Sequence, residues 1–152
     1  MPLLLPPAFG APPWFTSLWQ RVTNSLIRAD GRKIEVIRYD FDKSHSTSAT
    51  SIGALPANAV LLKGISGVYV HEVFNAGTNN RLDIGTAADT DLYATDLALT
   101  ALGFVELDET AILFRPSETV ATEVKIVVDM TGTAATTGKA SVILAYCVLP
   151  EG

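Results

Sequence analysis

The sequence has little charge, one cysteine and no long apolar run. Charged residues make up 18% of the 152 residues, below the roughly 25% that is typical of soluble domains. With 48% hydrophobic residues, this composition predicts a real core and surfaces that are covered in use. No apolar run reaches the roughly 18 residues that a membrane helix needs, and residues 1–5 do not resemble a secretory signal. We expect no membrane association, and use in the cytoplasm or in an assembly built there.

Residues that could catalyse a reaction or bind a metal are also few. Cys147 is the only cysteine, so an internal disulfide and a cysteine metal site are excluded, and its apolar surroundings predict a small buried hydrophobe. His45 and His71 have no second histidine at metal spacing. A triad of His45, a nearby serine and Asp42 is conceivable, but no nucleophile elbow accompanies it. We expect no catalytic residues, no cofactor, no metal and no enzymatic activity.

One acidic loop has two interpretations. It carries four aspartates within fourteen residues, Asp83, Asp89, Asp91 and Asp96. Calcium prefers oxygen ligands of this kind, but the EF-hand pattern is absent. The sequence therefore favours a solvated loop and leaves calcium binding open.

Charge is distributed unevenly along the chain. Residues 1–38 hold five basic and two acidic residues, a net of +3, whereas residues 39–152 hold six basic and fourteen acidic residues, a net of −8. An acidic body would repel phosphate, so we expect no nucleic-acid partner. The basic segment is better suited to an acidic protein surface.

The first 30 residues are predicted to form a separate arm, followed by one domain over residues 31–152. Five prolines fall within the first fifteen residues, and proline blocks both helix and strand ladder, so the arm begins extended. A short amphipathic helix follows, because apolar residues from Phe15 to Leu26 recur at helical spacing. The helix face packs either on its own domain or, as we favour, on a neighbouring chain or partner. The predicted partner-binding residues are Leu4, Phe9, Trp14, Phe15, Leu18, Trp19, Arg21, Val22 and Leu26.

The remaining chain has the pattern of an all-β domain. Short β-rich runs separated by turn clusters predict a β-sandwich or jelly-roll-like fold. Gly64 and Gly67 indicate a bulge or bend in the longest run. Residues 89–102 could hold one helical turn or an irregular loop. The predicted strands lie in residues 34–41, 60–74, 82–84, 104–107, 111–114, 120–130 and 142–149.

Three stretches carry a resemblance to a known class of proteins. They are residues 55–62 (LPANAVLL), residues 74–89 (FNAGTNNRLDIGTAAD) and residues 133–140 (TAATTGKA). With them, residues 39–149 resemble small virion structural proteins of tailed bacteriophages, of the head decoration (cement) or fibre type. The resemblance implies a β-sandwich subunit, commonly a homotrimer, located in the virion after assembly in the bacterial host cytoplasm. The implied partner is the major capsid protein or another virion protein.

Three functions remain as hypotheses. The first is capsid decoration, in which the protein stabilises the head by bridging capsid subunits. The second is a tail, neck or fibre component anchored through its N-terminal arm. The third is a carbohydrate-binding or enzymatic domain, which would need clustered acids or a platform of exposed aromatics. Tyr69, Tyr93 and Phe104 form no evident platform in the sequence, so the third hypothesis is disfavoured.

Overall fold

The computed structural model describes residues 33–109 and 120–149. Within them the chain forms nine β-strands and one short 3-10 turn at Lys63–Ile65. No helix in these ranges is long and apolar enough to cross a membrane. The strands are β1 (Glu35–Asp42), β2 (Thr50–Leu55), β3 (Ala59–Leu61), β4 (Gly67–Glu72), β5 (Asn79–Gly85), β6 (Ala94–Ala98), β7 (Gly103–Glu106), β8 (Thr122–Thr131) and β9 (Lys139–Val148).

The strands form two antiparallel sheets, which confirms the predicted all-β sandwich. The first sheet has the order β1-β9-β4-β7, with β3 also paired to β9, and the second has the order β2-β8-β5-β6. Both sheets contribute to one apolar core, because successive strand residues point to opposite sides. Large side chains fully buried in it include Leu55, Val68, Val70, Leu82, Ile84, Val124, Ile126, Val128, Val142 and Leu144.

The predicted alternation is confirmed in β4 and β8. Val68 and Val70 are buried, whereas Tyr69 and His71, which alternate with them along the strand, are exposed. In β8, every second residue from Val124 to Val128 is buried. Period-two patterning therefore decided which side chains reach the core.

The run over residues 60–74 is interrupted, as its glycines indicated. Both β3 and β4 pair with β9, and the 3-10 turn lies between them. Ser66, between the turn and β4, continues the contact with β9. Its hydroxyl accepts a 2.9 Å hydrogen bond from the Ala145 amide and donates one to the Ala145 carbonyl at 3.2 Å. At Gly67 a β-carbon would collide with the Val105 carbonyl oxygen, so only glycine fits.

Two strands were missed, and one prediction for residues 89–102 was wrong. Those residues contain β6 rather than a helical turn or an irregular loop throughout. The pairing of β6 with β5 shifts register, and Asp96 has a positive φ of 55°, so no simple alternation marks the strand. β2 was missed because a register shift between Ser51 and Gly53 likewise breaks its period. The predicted arm, helix and strand at residues 111–114 lie outside the described residues.

Candidate interaction surface

The outer faces of the two sheets differ in chemistry. The second sheet carries charged pairs, with Arg81 and Asp96 in a 2.8 Å ion pair and Lys125 and Glu123 3.6 Å apart. Among the described residues, none of the exposed large apolar side chains lies in a strand of the second sheet. Three of them lie in strands of the first sheet: Val36, Tyr69 and Phe104. The first sheet therefore offers the face better suited to burial against another protein.

The strand registers align apolar side chains diagonally across the first sheet. Tyr69 and Phe104 are directly opposite on β4 and β7, and they remain 42% and 44% exposed. Ile143 of β9 is opposite Gly67, which places it diagonally beside Tyr69. Val36 is opposite Ala145, two residues from Ile143, and is 57% exposed. We call Val36, Ile143, Tyr69 and Phe104 the apolar stripe.

Gly67 lies beside the stripe without opening a recess in it. It is opposite Ile143 on one side and Glu106 on the other. Gly67 is buried, and the Val105 carbonyl oxygen occupies the place that its β-carbon would take, so the glycine allows β4 and β7 to approach closely. The stripe is therefore formed by its side chains, of which Val36, Tyr69 and Phe104 are exposed.

A hydrogen-bonded polar network borders the stripe across β1, β9 and β4. The Ser141 hydroxyl donates to Asp40 at 2.6 Å, and His71 Nε2 lies 2.8 Å from the Ser141 oxygen. Arg38 donates to both oxygens of Asp40, at 3.0 and 3.2 Å. The Ser141 hydrogen bond, followed by the Arg38 hydrogen bond, lowers the pKa of Asp40. Asp40 is consequently the anionic centre of the network.

The order of these groups differs from that of a hydrolytic triad. The one hydroxyl proton of Ser141 is directed to Asp40, so His71 Nε2 must donate to the serine oxygen rather than accept from it. In a triad the histidine stands between serine and carboxylate and removes the serine proton. Ser141 is also only 3% exposed. This arrangement holds three strands together and does not activate a nucleophile.

The triad conceived around His45 is not formed. His45 Nδ1 lies 2.6 Å from the Ser46 carbonyl oxygen, which can only accept, and Nε2 lies 3.3 Å from the Tyr39 hydroxyl. The carboxylate of Asp42 instead accepts from the amide and hydroxyl of Ser44, and these two bonds lower its pKa. His45 and His71 both line an open depression of about 510 Å³. The hydrogen bonds of His45 therefore stabilise the loop that follows β1.

The prediction of one loop with four aspartates was wrong, because Asp83 lies in β5 and Asp96 in β6, and only Asp89 and Asp91 lie between these strands. Asp83 accepts from the Asp96 amide at 2.7 Å, and Asp96 pairs with Arg81. Burial raises the pKa of Asp83, and a side-chain hydrogen bond with Asp89 raises the pKa of Asp91. Within residues 33–109 and 120–149, no group of three or more metal-binding side chains is assembled. The described geometry accordingly supplies no argument for calcium.

Sequence reasoning and structure single out different residues. All nine predicted partner-binding residues of the arm lie outside the described residues. Of the three aromatics expected to form no platform, Tyr69 and Phe104 are directly opposite in the β4–β7 register and exposed, whereas Tyr93 is buried. The pairing of two short runs 35 residues apart is not visible in either run alone.

Cys147 is half-buried rather than fully buried.

Comparison with known proteins yields one fold match. No protein-family model matches the chain, and no curated protein matches it. Among solved structures, a chain from the structure titled "Cyanophage Pam1 capsid asymmetric unit" matches with a TM-score of 0.56 and 18% sequence identity. The match covers 78% of this chain and 85% of that chain, so the two chains are similar in length. At this identity the likeness shows the fold alone.

Proposed function

We propose that the protein is a non-enzymatic bacteriophage virion structural protein, and specifically a capsid decoration (cement) protein. The observation that carries the proposal is the fold likeness to a chain of similar length in a cyanophage capsid unit. The residue resemblance noted for residues 39–149 supports the same class. The hydrogen bonds of Ser141 add support for a structural role, because its proton is donated to Asp40 and His71 is not placed to remove it.

The proposed mechanism is mechanical. Homotrimers sit where capsid subunits meet, and the area buried between neighbours resists their separation. Specific interfaces bury about 1,600 Å² in total, and several contacts made at once strengthen attachment beyond any single one. The apolar stripe supplies aromatic side chains of the kind that dominate binding energy. The N-terminal residues 1–30 would add contact area on an adjacent subunit, with the major capsid protein or another virion protein as partner.

A tail, neck or fibre location is the alternative. The composition of residues 1–30 favours it, because a basic, aromatic segment beside an acidic body is equally suited to anchor a collar or fibre. In that arrangement the β-sandwich projects outward and residues 1–30 attach it.

Copy number and position in purified particles test the two locations. Heads and tails from particles that carry this chain would be separated on a density gradient, and the chain quantified against the major capsid protein by mass spectrometry. Decoration predicts a copy number comparable with that of the major capsid protein, and density for the chain on the head surface in electron cryomicroscopy. A few copies confined to the tail fractions would support the alternative, and absence from purified particles would refute both.

A further inference from the structure

The apolar stripe lies on the outer face of the first sheet, beside four polar side chains that are already paired with one another. Arg38, Asp40, Ser141 and His71 bond to one another beside it. An occupant of the stripe therefore needs apolar and aromatic groups rather than a new set of hydrogen bonds to this network. Exposed aromatic rings on a sheet are also the surfaces on which proline-rich peptides bind.

We propose that the stripe receives residues 1–30 of a neighbouring copy of the same chain. This proposal rests on the proposed function only in assuming that several copies assemble together. The segment has the required chemistry, with five prolines in its first fifteen residues and the aromatics Phe9, Trp14 and Phe15 among them. Tyr69 and Phe104 supply rings against which prolines and aromatics can stack.

Charge favours the same occupant. Residues 1–30 hold Arg21, Arg28 and Asp30, a net of +1, whereas residues 31–152 carry a net of −6. Beside the stripe, exposed Glu106 lies two residues after Phe104 on β7. Arg21 or Arg28 of the segment would find an acidic partner there, which speeds association and fixes register more than it adds affinity.

The chain leads from the segment to this sheet. Residues 1–32 precede the described part, and β1 begins at Glu35 at the edge of the first sheet. Ile34 and Val36 continue the apolar character and remain 51% and 57% exposed. Thirty residues can span at most about 100 Å when fully extended, which is enough to reach the first sheet of an adjacent copy. Such an exchange of identical segments between subunits needs no additional partner.

Photocrosslinking of the full chain tests the proposal. A photoreactive phenylalanine analogue in place of Phe104 would be introduced into unlabelled protein, which is mixed with ¹⁵N-labelled wild type, irradiated and digested. We expect mixed-isotope crosslinks that join position 104 to residues 1–30. The same analogue in place of Ala98, which is exposed on the second sheet, is the control and should give no such crosslinks. Same-isotope crosslinks alone, crosslinks to residues 33–149, or no crosslinks at high concentration would each overturn the proposal.

Substitutions supply a second measurement. The double variant Tyr69→Ser and Phe104→Ser should weaken self-association by at least about tenfold in sedimentation equilibrium, because buried aromatics are the usual hot spots. Val120→Ser, at a residue 67% exposed outside the strands, is the matched control and should leave association unchanged. Circular dichroism verifies that both variants stay folded. If the chain proves absent from phage heads, the proposed function fails, whereas the crosslinking result stands on its own.

Discussion

The Ser141 hydroxyl donates a 2.6 Å hydrogen bond to the Asp40 carboxylate, from one strand of the first sheet to its neighbour. The two residues are directly opposite in the β1–β9 register. Because Asp40 also receives two bonds from Arg38, the negative charge is stabilised in the folded chain. This relationship gives predictions on chemistry and on pH.

Ser141 should support no hydrolysis. We expect Ser141→Ala to leave any slow ester hydrolysis by the purified protein unchanged, because the serine proton is directed to Asp40 and not to His71. Turnover of an activated ester by the wild type and the variant makes the comparison, with His45→Ala as a second control. Covalent labelling of Ser141 by a fluorophosphonate would contradict this prediction and the non-enzymatic assignment.

Asp40 should stabilise the fold except in acid. Its folded-state pKa is lowered by Ser141 and then Arg38, so its contribution is present above the ordinary carboxyl range near pH 4 and is lost as pH falls through the lowered pKa. Asp40→Asn should therefore be less stable than wild type at neutral pH, with the difference shrinking in acid. Urea unfolding across a pH series measures it, and a difference independent of pH would count against this account.

Asp83 serves as a control, because its contribution to stability should change with pH in the opposite direction to that of Asp40. Burial raises its pKa, so ionisation disfavours the folded state. This penalty is fully present above the raised pKa and disappears as pH falls below the ordinary value of the unfolded chain. Asp83→Asn should accordingly match or exceed the wild type in stability at neutral pH. Because an amide oxygen can still accept from the Asp96 amide, the local geometry is retained.

Ser66 should be among the most sensitive polar residues. Its side chain is fully buried and bonds both the amide and the carbonyl of Ala145. Ser66→Ala leaves the buried amide without that partner and should cost about 1–3 kcal/mol of unfolding free energy. Ser48→Ala, at an exposed loop residue, should change stability by under about 0.5 kcal/mol. Equal urea midpoints for the two variants would refute the role given to Ser66.

Gly67 and Gly64 form a matched pair. A β-carbon at Gly67 would collide with the Val105 carbonyl oxygen, whereas at Gly64 nothing lies within 4 Å. Gly67→Ala should force β7 away from β4 and cost about 1–3 kcal/mol or more, but Gly64→Ala should be nearly neutral. Thermal unfolding compares them, and similar melting temperatures would show that the β4–β7 contact adjusts more easily than the geometry implies.

Residues 1–30 should be dispensable for folding and necessary for attachment. Deleting them should leave a soluble, β-rich protein that unfolds cooperatively, because the described residues after residue 33 supply an apolar core, most of it from β-strands. Binding to particles lacking this chain should weaken strongly, and Trp14→Ala with Trp19→Ala should approach the same loss, at about 2–4 kcal/mol per hot spot. An unfolded deletion variant would show instead that these residues belong to the core.

Much of the fold was predictable because burial follows a short period. The alternation in β4 and β8 identifies which side chains face the core without any knowledge of partners. Where a register shift interrupts the period, at Gly53 and near Asp96, prediction failed and β2 and β6 were missed. The bend around Gly64 and Gly67 was predictable because a glycine inside a β-rich run often marks a bulge, a bend or the close approach of another backbone segment.

The sequence by itself determined the class of the protein: an all-β domain with an acidic body, a basic proline-rich beginning and no catalytic signature. Composition and local periodicity suffice for this, since each depends on neighbouring residues only. The tertiary structure alone decided the surface chemistry. Asp40 and Ser141 are 101 residues apart in the chain, and the apolar stripe joins four strands from separate parts of it. Strand order and register bring such residues together, and both depend on the burial of the whole core rather than on any one segment.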